Sequence, residues 1–70
     1  MSTVIFMNQN APGGRTIHYN LDQRTRIVAA MVERALNEGT MVEIPNENPD
    51  AEPIFVNPEC VATVAPAKED

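Results

Sequence analysis

The chain has 70 residues with one cysteine and one histidine, so an internal disulfide and a His/Cys metal cluster are excluded. Its formal net charge is −5 and its aromatic content is 4%, which argues against a basic nucleic-acid-binding surface and against an aromatic stacking platform. A domain this small usually needs a disulfide, a metal or a partner to supplement its core. The sequence therefore predicts association with another copy of the chain or with another protein.

The charges are unevenly distributed along the chain. Residues 1–34 carry four arginines against two acidic residues, whereas residues 35–70 carry one lysine against eight acidic residues. The first half is therefore mildly basic and the second half strongly acidic. Such an asymmetry can orient contacts between copies or steer a partner.

The first nineteen residues predict a β-hairpin. Residues 3–7 form a short apolar run that is typical of a strand buried on both faces. Residues 16–19 alternate in polarity, as in a half-buried strand. The segment between them contains a proline and two glycines, which indicate a turn.

The following residues predict an amphipathic helix. Asn20 suits the N-cap position and Gln23 the matching position of a capping box. Gly39 is a typical residue just beyond a C-terminal helix end. Arg24 would lie on the apolar half of this helix, where it either extends its methylene groups over the core or meets an anion or a partner's carboxylate.

Three short strands are predicted after the helix. They cover residues 40–44, 54–56 and 61–64. An acidic, proline-rich loop over residues 45–53 separates the first two strands. The segment Asn57–Cys60 predicts a tight turn, because Pro58 fixes φ at its second position.

The predicted order of elements is ββαβββ. This order is typical of the α+β class, here a single small domain in which one amphipathic helix packs on a twisted antiparallel sheet. We expect the domain to cover residues 1–64 and residues 65–70 to form a charged C-terminal tail.

The hairpin loop is a candidate site for a small anion such as a nucleotide. Its residues are Gly13, Gly14, Arg15 and Thr16, and Arg24 would share the ligand. The glycines allow close approach of the backbone, and the arginine and threonine side chains suit a phosphate or carboxylate. The segment is not a P-loop, because the Lys-Ser/Thr pair is absent and a strand follows. The alternative interpretation is a hairpin tip with positive φ angles and a solvated arginine.

Partner contacts are predicted at the acidic loop, at the C-terminal strands and at the unusual helix arginine. The predicted contact residues are Arg24, Glu47, Asp50, Glu52, Ile54 and Val56. Carboxylates of the loop would suit an arginine-bearing surface, and a strand at a sheet edge offers free backbone groups. The loop lacks the spacing of an EF-hand, so we expect it to be solvated and not to be a calcium site.

His18 and Cys60 are the residues that suggest a nucleophile–base pair, but nothing in their spacing supports one. The chain also carries no cofactor motif and no paired acid and base. We therefore expect no enzymatic activity, no cofactor and no metal.

These patterns predict a small non-enzymatic interaction protein, acting as a homo-oligomer or as a subunit of a larger phage or bacterial accessory assembly. The alternative is a binder of a small anion. An unpaired cysteine, the lack of an export signal and the lack of an 18-residue apolar stretch predict a cytoplasmic or virion-associated protein without a membrane segment. Duplex DNA is a disfavoured partner because of the acidic charge.

Overall fold

A computed structural model describes residues 2–67. It contains five β-strands, one α-helix and one 3₁₀ turn. The elements in chain order are β1 (Thr3–Asn10), β2 (Thr16–Leu21), α1 (Thr25–Glu38), β3 (Val42–Ile44), β4 (Ile54–Val56), the 3₁₀ turn (Pro58–Cys60) and β5 (Val61–Pro66). The predicted α+β class and the order ββαβββ are confirmed.

The strands form two antiparallel sheets. The larger has the order β2–β1–β5 and the smaller pairs β3 with β4. Ile5, in the central strand, pairs with Tyr19 of β2 and with Val64 of β5. In the smaller sheet Val42 pairs with Val56. The C-terminal strand therefore returns to the N-terminal strand, which holds the two ends of the described chain together.

One hydrophobic core joins the helix to both sheets. It consists of Ile5, Leu21, Val28, Val32, Ala35, Val42, Ile44 and Val56. The helix residues Val28, Val32 and Ala35 recur at helical spacing, so one stripe of α1 is buried. Ile5 and Val28 have no exposed surface, which places the centre of the core between β1 and the first half of α1.

The helix begins later than predicted. Asn20 and Leu21 belong to β2, where they pair with Val4 and Thr3, so the predicted N-cap and capping box were wrong. Arg24 occupies the N-cap position with an extended backbone and makes no capping hydrogen bond through its side chain. Because Arg24 precedes the helix and is exposed, the predicted conflict between its charge and an apolar helix face does not arise.

The predicted end of the helix is confirmed. Gly39 has a φ of +70°, in the left-handed region that favours glycine. The N–H of Thr40 donates to the carbonyl oxygen of Ala35 at 3.0 Å. The chain therefore turns sharply after α1 and brings β3 back against the core.

The predicted turn over Asn57–Cys60 is also present. The side-chain oxygen of Asn57 accepts a hydrogen bond from the N–H of Glu59 at 3.0 Å, and Pro58 stands at the first turn of the 3₁₀ segment. Pro58 is buried. This turn directs the chain from the smaller sheet into β5 of the larger one.

The C-terminal strand extends further than expected. Ala65 and Pro66, predicted to lie in the tail, continue β5 and pair with β1, and the N–H of Ala67 donates to the carbonyl oxygen of Ser2 at 3.0 Å. The rest of the predicted tail, residues 68–70, lies outside the described residues.

Candidate interaction surface

Among residues 2–67, four large hydrophobic side chains are about half exposed. They are Ile27 (51%), Leu36 (48%), Met41 (51%) and Phe55 (56%). Single exposed hydrophobic residues are common on protein surfaces, so only their grouping carries information. Ile27 lies in the first turn of α1, whereas Leu36 lies in its last turn and lines a cleft together with Met41.

Leu36 and Met41 line one cleft at the C-terminal end of α1. The cleft has a volume of about 230 Å³, and Pro58 and Glu59 of the 3₁₀ turn form its other wall. Gly39 ends the helix and reverses the chain, which places Met41 beside the last helical turn. Gly39 therefore ends α1 and also places Met41 in the wall of this cleft.

Phe55 extends this apolar surface onto the smaller sheet. Its neighbour Val56 faces the core, so the alternation of a strand directs Phe55 outward. Phe55 pairs with Glu43 across the ladder, and Met41 lies two residues before Glu43, at a diagonal position that long side chains can reach. We call Leu36, Met41 and Phe55, with Glu43 and Glu59 beside them, the Leu36–Phe55 surface.

The charge beside these hydrophobic side chains is negative. Glu59 lines the cleft and Glu43 stands opposite Phe55, whereas no lysine or arginine of the described residues lines the cleft. The nearby Arg34 is directed along the helix, where its Nε donates to Glu38 Oε2 at 3.0 Å in an exposed ion pair. The surface therefore combines large apolar groups with carboxylates that form no ion pair within residues 2–67.

The acidic loop of the predicted partner site is ordered by its asparagines. Asn46 Oδ1 accepts from the N–H of Asn48, and Asn48 Oδ1 accepts from the N–H of Asp50, each at 3.0 Å. Asn46 Nδ2 donates to the carbonyl oxygen of Glu52 at 3.2 Å and closes the loop. These bonds leave the side chains of Glu47, Asp50 and Glu52 exposed.

The side chains of the contact residues predicted in β4 face the core. Val56 is only 5% exposed and belongs to the core, and Ile54 is partly buried against it. Their side chains face inward because strand alternation directs Phe55 outward instead. Phe55 is therefore the residue of β4 whose side chain a partner can contact, whereas the sequence predicted contacts at Ile54 and Val56.

The glycine-rich loop forms the tip of the hairpin. Gly13 and Gly14 have φ angles of +91° and +83°. The N–H of Ala11 donates to the carbonyl oxygen of Arg15 at 2.8 Å, and the N–H of Gly14 donates to that of Ala11 at 3.0 Å. The positive φ angles of this turn explain both glycines without a ligand. Arg15 and Thr16 are exposed.

The structure does not bring Arg24 to this loop. Arg15 precedes β2 and Arg24 follows it. The six residues of β2 span about 20 Å in an extended strand. One small anion cannot contact both guanidinium groups of the same copy across that distance, so a single copy does not form the predicted shared site.

His18 and Cys60 are also kept apart. His18 lies on β2 beside the ring of Phe6, with the ring centroids 6.1 Å apart, and Cys60 precedes β5 on the far side of β1. Among residues 2–67, no group of three or more His, Cys, Asp or Glu side chains is arranged to hold a metal ion.

Comparison with known proteins adds no functional assignment, because no protein-family model, no curated protein and no solved structure matches this chain. In the part of the chain that the structure describes, no helix has the length and apolar character needed to span a membrane.

Proposed function

We propose that the chain is a small non-enzymatic interaction protein that binds its partner through the Leu36–Phe55 surface, as a homo-oligomer or as a subunit of a larger assembly. The observation that carries this proposal is a group of three half-exposed hydrophobic side chains: Leu36 and Met41 line one cleft, and Phe55 lies diagonally across the smaller sheet from Met41. Grouped apolar exposure on a small domain marks an interaction site. Methionine and phenylalanine are also enriched in protein interfaces.

The chemistry of the surface favours a particular kind of partner. Glu43 and Glu59 stand beside the apolar side chains, so a complementary surface carries an apolar anchor flanked by lysine or arginine. The arginine-bearing first half of another copy has this charge, and so does a basic segment of a different protein. The single cysteine suits a reducing compartment, and we place the interaction in the cytoplasm.

The test replaces two of the apolar side chains of this surface and keeps the fold intact. In the double variant Leu36→Lys, Phe55→Lys, both substituted side chains are about half exposed, so the core is untouched. Solution mass is measured by light scattering, and a partner recovered on the immobilised protein is purified and its Kd measured. We expect at least about tenfold weaker association for the double variant, since central apolar anchors dominate interface energies.

The matched control is Ile27→Lys. Ile27 is as exposed as Met41 but lies in the first turn of α1, at the opposite end of the helix from Leu36, and it neither lines the cleft nor belongs to the smaller sheet. This variant should therefore associate as the original protein does. The proposal is overturned if the double variant keeps full affinity, or if the original protein is monomeric and retains no partner.

A further inference from the structure

The central strand of the larger sheet is apolar on both faces. Ile5 and Met7 pack toward the core, whereas Val4 and Phe6 are not part of it and point to the opposite face of the sheet. An antiparallel sheet with one face in water normally places polar residues on that face in its centre. Val4 and Phe6 depart from this rule at two successive positions.

The strand register shows which residues surround them. Val4 lies between Asn20 of β2 and Ala65 of β5, and Phe6 lies between His18 and Thr63. We call these six residues the outer sheet face. It lies on the side of β1 away from α1, so it is separate from the Leu36–Phe55 surface.

None of the six residues of the outer sheet face is acidic, lysine or arginine, although the chain has ten acidic residues and five basic ones. Two copies with a net charge of −5 each repel one another over most of their surfaces. A neutral face with apolar residues at its centre is compatible with itself, because close approach there places no like charges together.

We propose that a second copy of this chain packs on the outer sheet face, sheet against sheet, about a twofold axis. In such an arrangement each copy offers the same patch to the other. Two packed sheets lie about 10 Å apart, so Val4 and Phe6 of one copy contact those of the other copy and are withdrawn from water. The proposal goes beyond the partner-binding function above, because it uses a different surface.

The size of the face determines how strong this dimer is. Three strands spaced about 4.8 Å apart and about five residues long give a footprint of roughly 200–250 Å². A standard stable interface buries about 800 Å² on each partner. The footprint is less than a third of that value, so we expect a weak dimer, and the concentrations below are chosen to detect a Kd of about 10⁻⁴ M.

The experiment is sedimentation of the full chain from about 10 µM to about 1 mM, at about 0.15 M salt to screen long-range repulsion. We expect the average mass to rise from 7.7 kDa toward twice that value as concentration increases. Thr63→Glu adds a carboxylate to the outer sheet face at an exposed position, so this variant should remain monomeric over the same range.

Two further variants make the result specific. Gln23→Glu adds the same charge at an exposed position off the outer sheet face and should associate like the original chain. Phe55→Lys alters only the Leu36–Phe55 surface and should also associate. The proposal is overturned if the original chain stays at 7.7 kDa at the highest concentration, if Thr63→Glu associates equally well, or if Phe55→Lys alone abolishes the dimer. Circular dichroism confirms that each variant is folded.

Discussion

Thr3 joins the start of the larger sheet to the start of the helix. Among the described residues it is the one fully buried polar residue. Its hydroxyl donates to the carbonyl oxygen of Gln23 at 2.7 Å and lies 3.1 Å from the hydroxyl oxygen of Thr25. The bond therefore holds the segment that replaces the predicted first turn of the helix.

We expect Thr3→Val to lower the free energy of unfolding by about 1–2 kcal/mol, because it keeps the side-chain volume and removes a buried hydrogen bond. Urea unfolding followed by circular dichroism measures the change. Thr16→Val, at an exposed position of β2, is the matched control and should change stability by less than about 0.5 kcal/mol. Equal stability of the two variants would show that the Thr3 hydroxyl contributes nothing.

At the scale of elements, the two ends of α1 differ in how well the local sequence specifies them. Gly39 ends the helix as predicted, because the left-handed conformation is a local requirement. At the other end, Asn20 is a good capping residue, but Tyr19 and Leu21 also fit the alternation of a strand. Pairing with β1 decides between these alternatives, and no local pattern contains that information.

A substitution at the start of α1 can therefore increase the stability of the helix. Arg24 has the extended backbone of an N-cap residue, but its side chain makes no capping bond and the first turn holds no acidic residue. We expect Arg24→Asp to raise the free energy of unfolding by about 1 kcal/mol, because a carboxylate there accepts from free N–H groups and complements the helix dipole.

Urea unfolding measures this gain as well. The control is Arg24→Ala, which removes the same positive charge and supplies no acceptor, and should leave stability nearly unchanged. If Arg24→Ala stabilised the protein as much as Arg24→Asp, the gain would come from loss of the arginine and not from capping.

Sequence patterns predicted most of the elements of this fold but little of the candidate site. The Asn57–Cys60 turn and the strands were predictable because alternation and proline geometry are local. Leu36 falls on the apolar half of the amphipathic helix, but the buried stripe is narrower than that half and leaves Leu36 48% exposed. The exposure of Phe55 follows from the inward direction of Val56, which depends on long-range packing.

For the whole molecule, the question is whether one copy is stable alone. The core consists of eight buried hydrophobic residues, and domains of this length supply only about 3–5 kcal/mol from their cores. The described chain has no disulfide, and the outer sheet face keeps Val4 and Phe6 only partly buried. Packing of that face against a second copy would bury the part of these two side chains that a single copy leaves in water.

This coupling predicts that thermal stability depends on protein concentration. For a Kd of about 10⁻⁴ M, a concentration of about 1 mM stabilises the folded state by about 1.4 kcal/mol. In a domain of this size that gain raises Tm by about 5–10 °C relative to a dilute sample. Calorimetry over this range measures the shift.

Thr63→Glu should show the same Tm at every concentration, equal to that of the dilute original chain, because it removes dimer formation and leaves the core intact. Phe55→Lys should keep the dependence, since it alters a different surface. A Tm of the original chain that does not change with concentration would mean that the eight-residue core is sufficient by itself. The apolar residues of the outer sheet face would then contribute nothing to stability through a second copy.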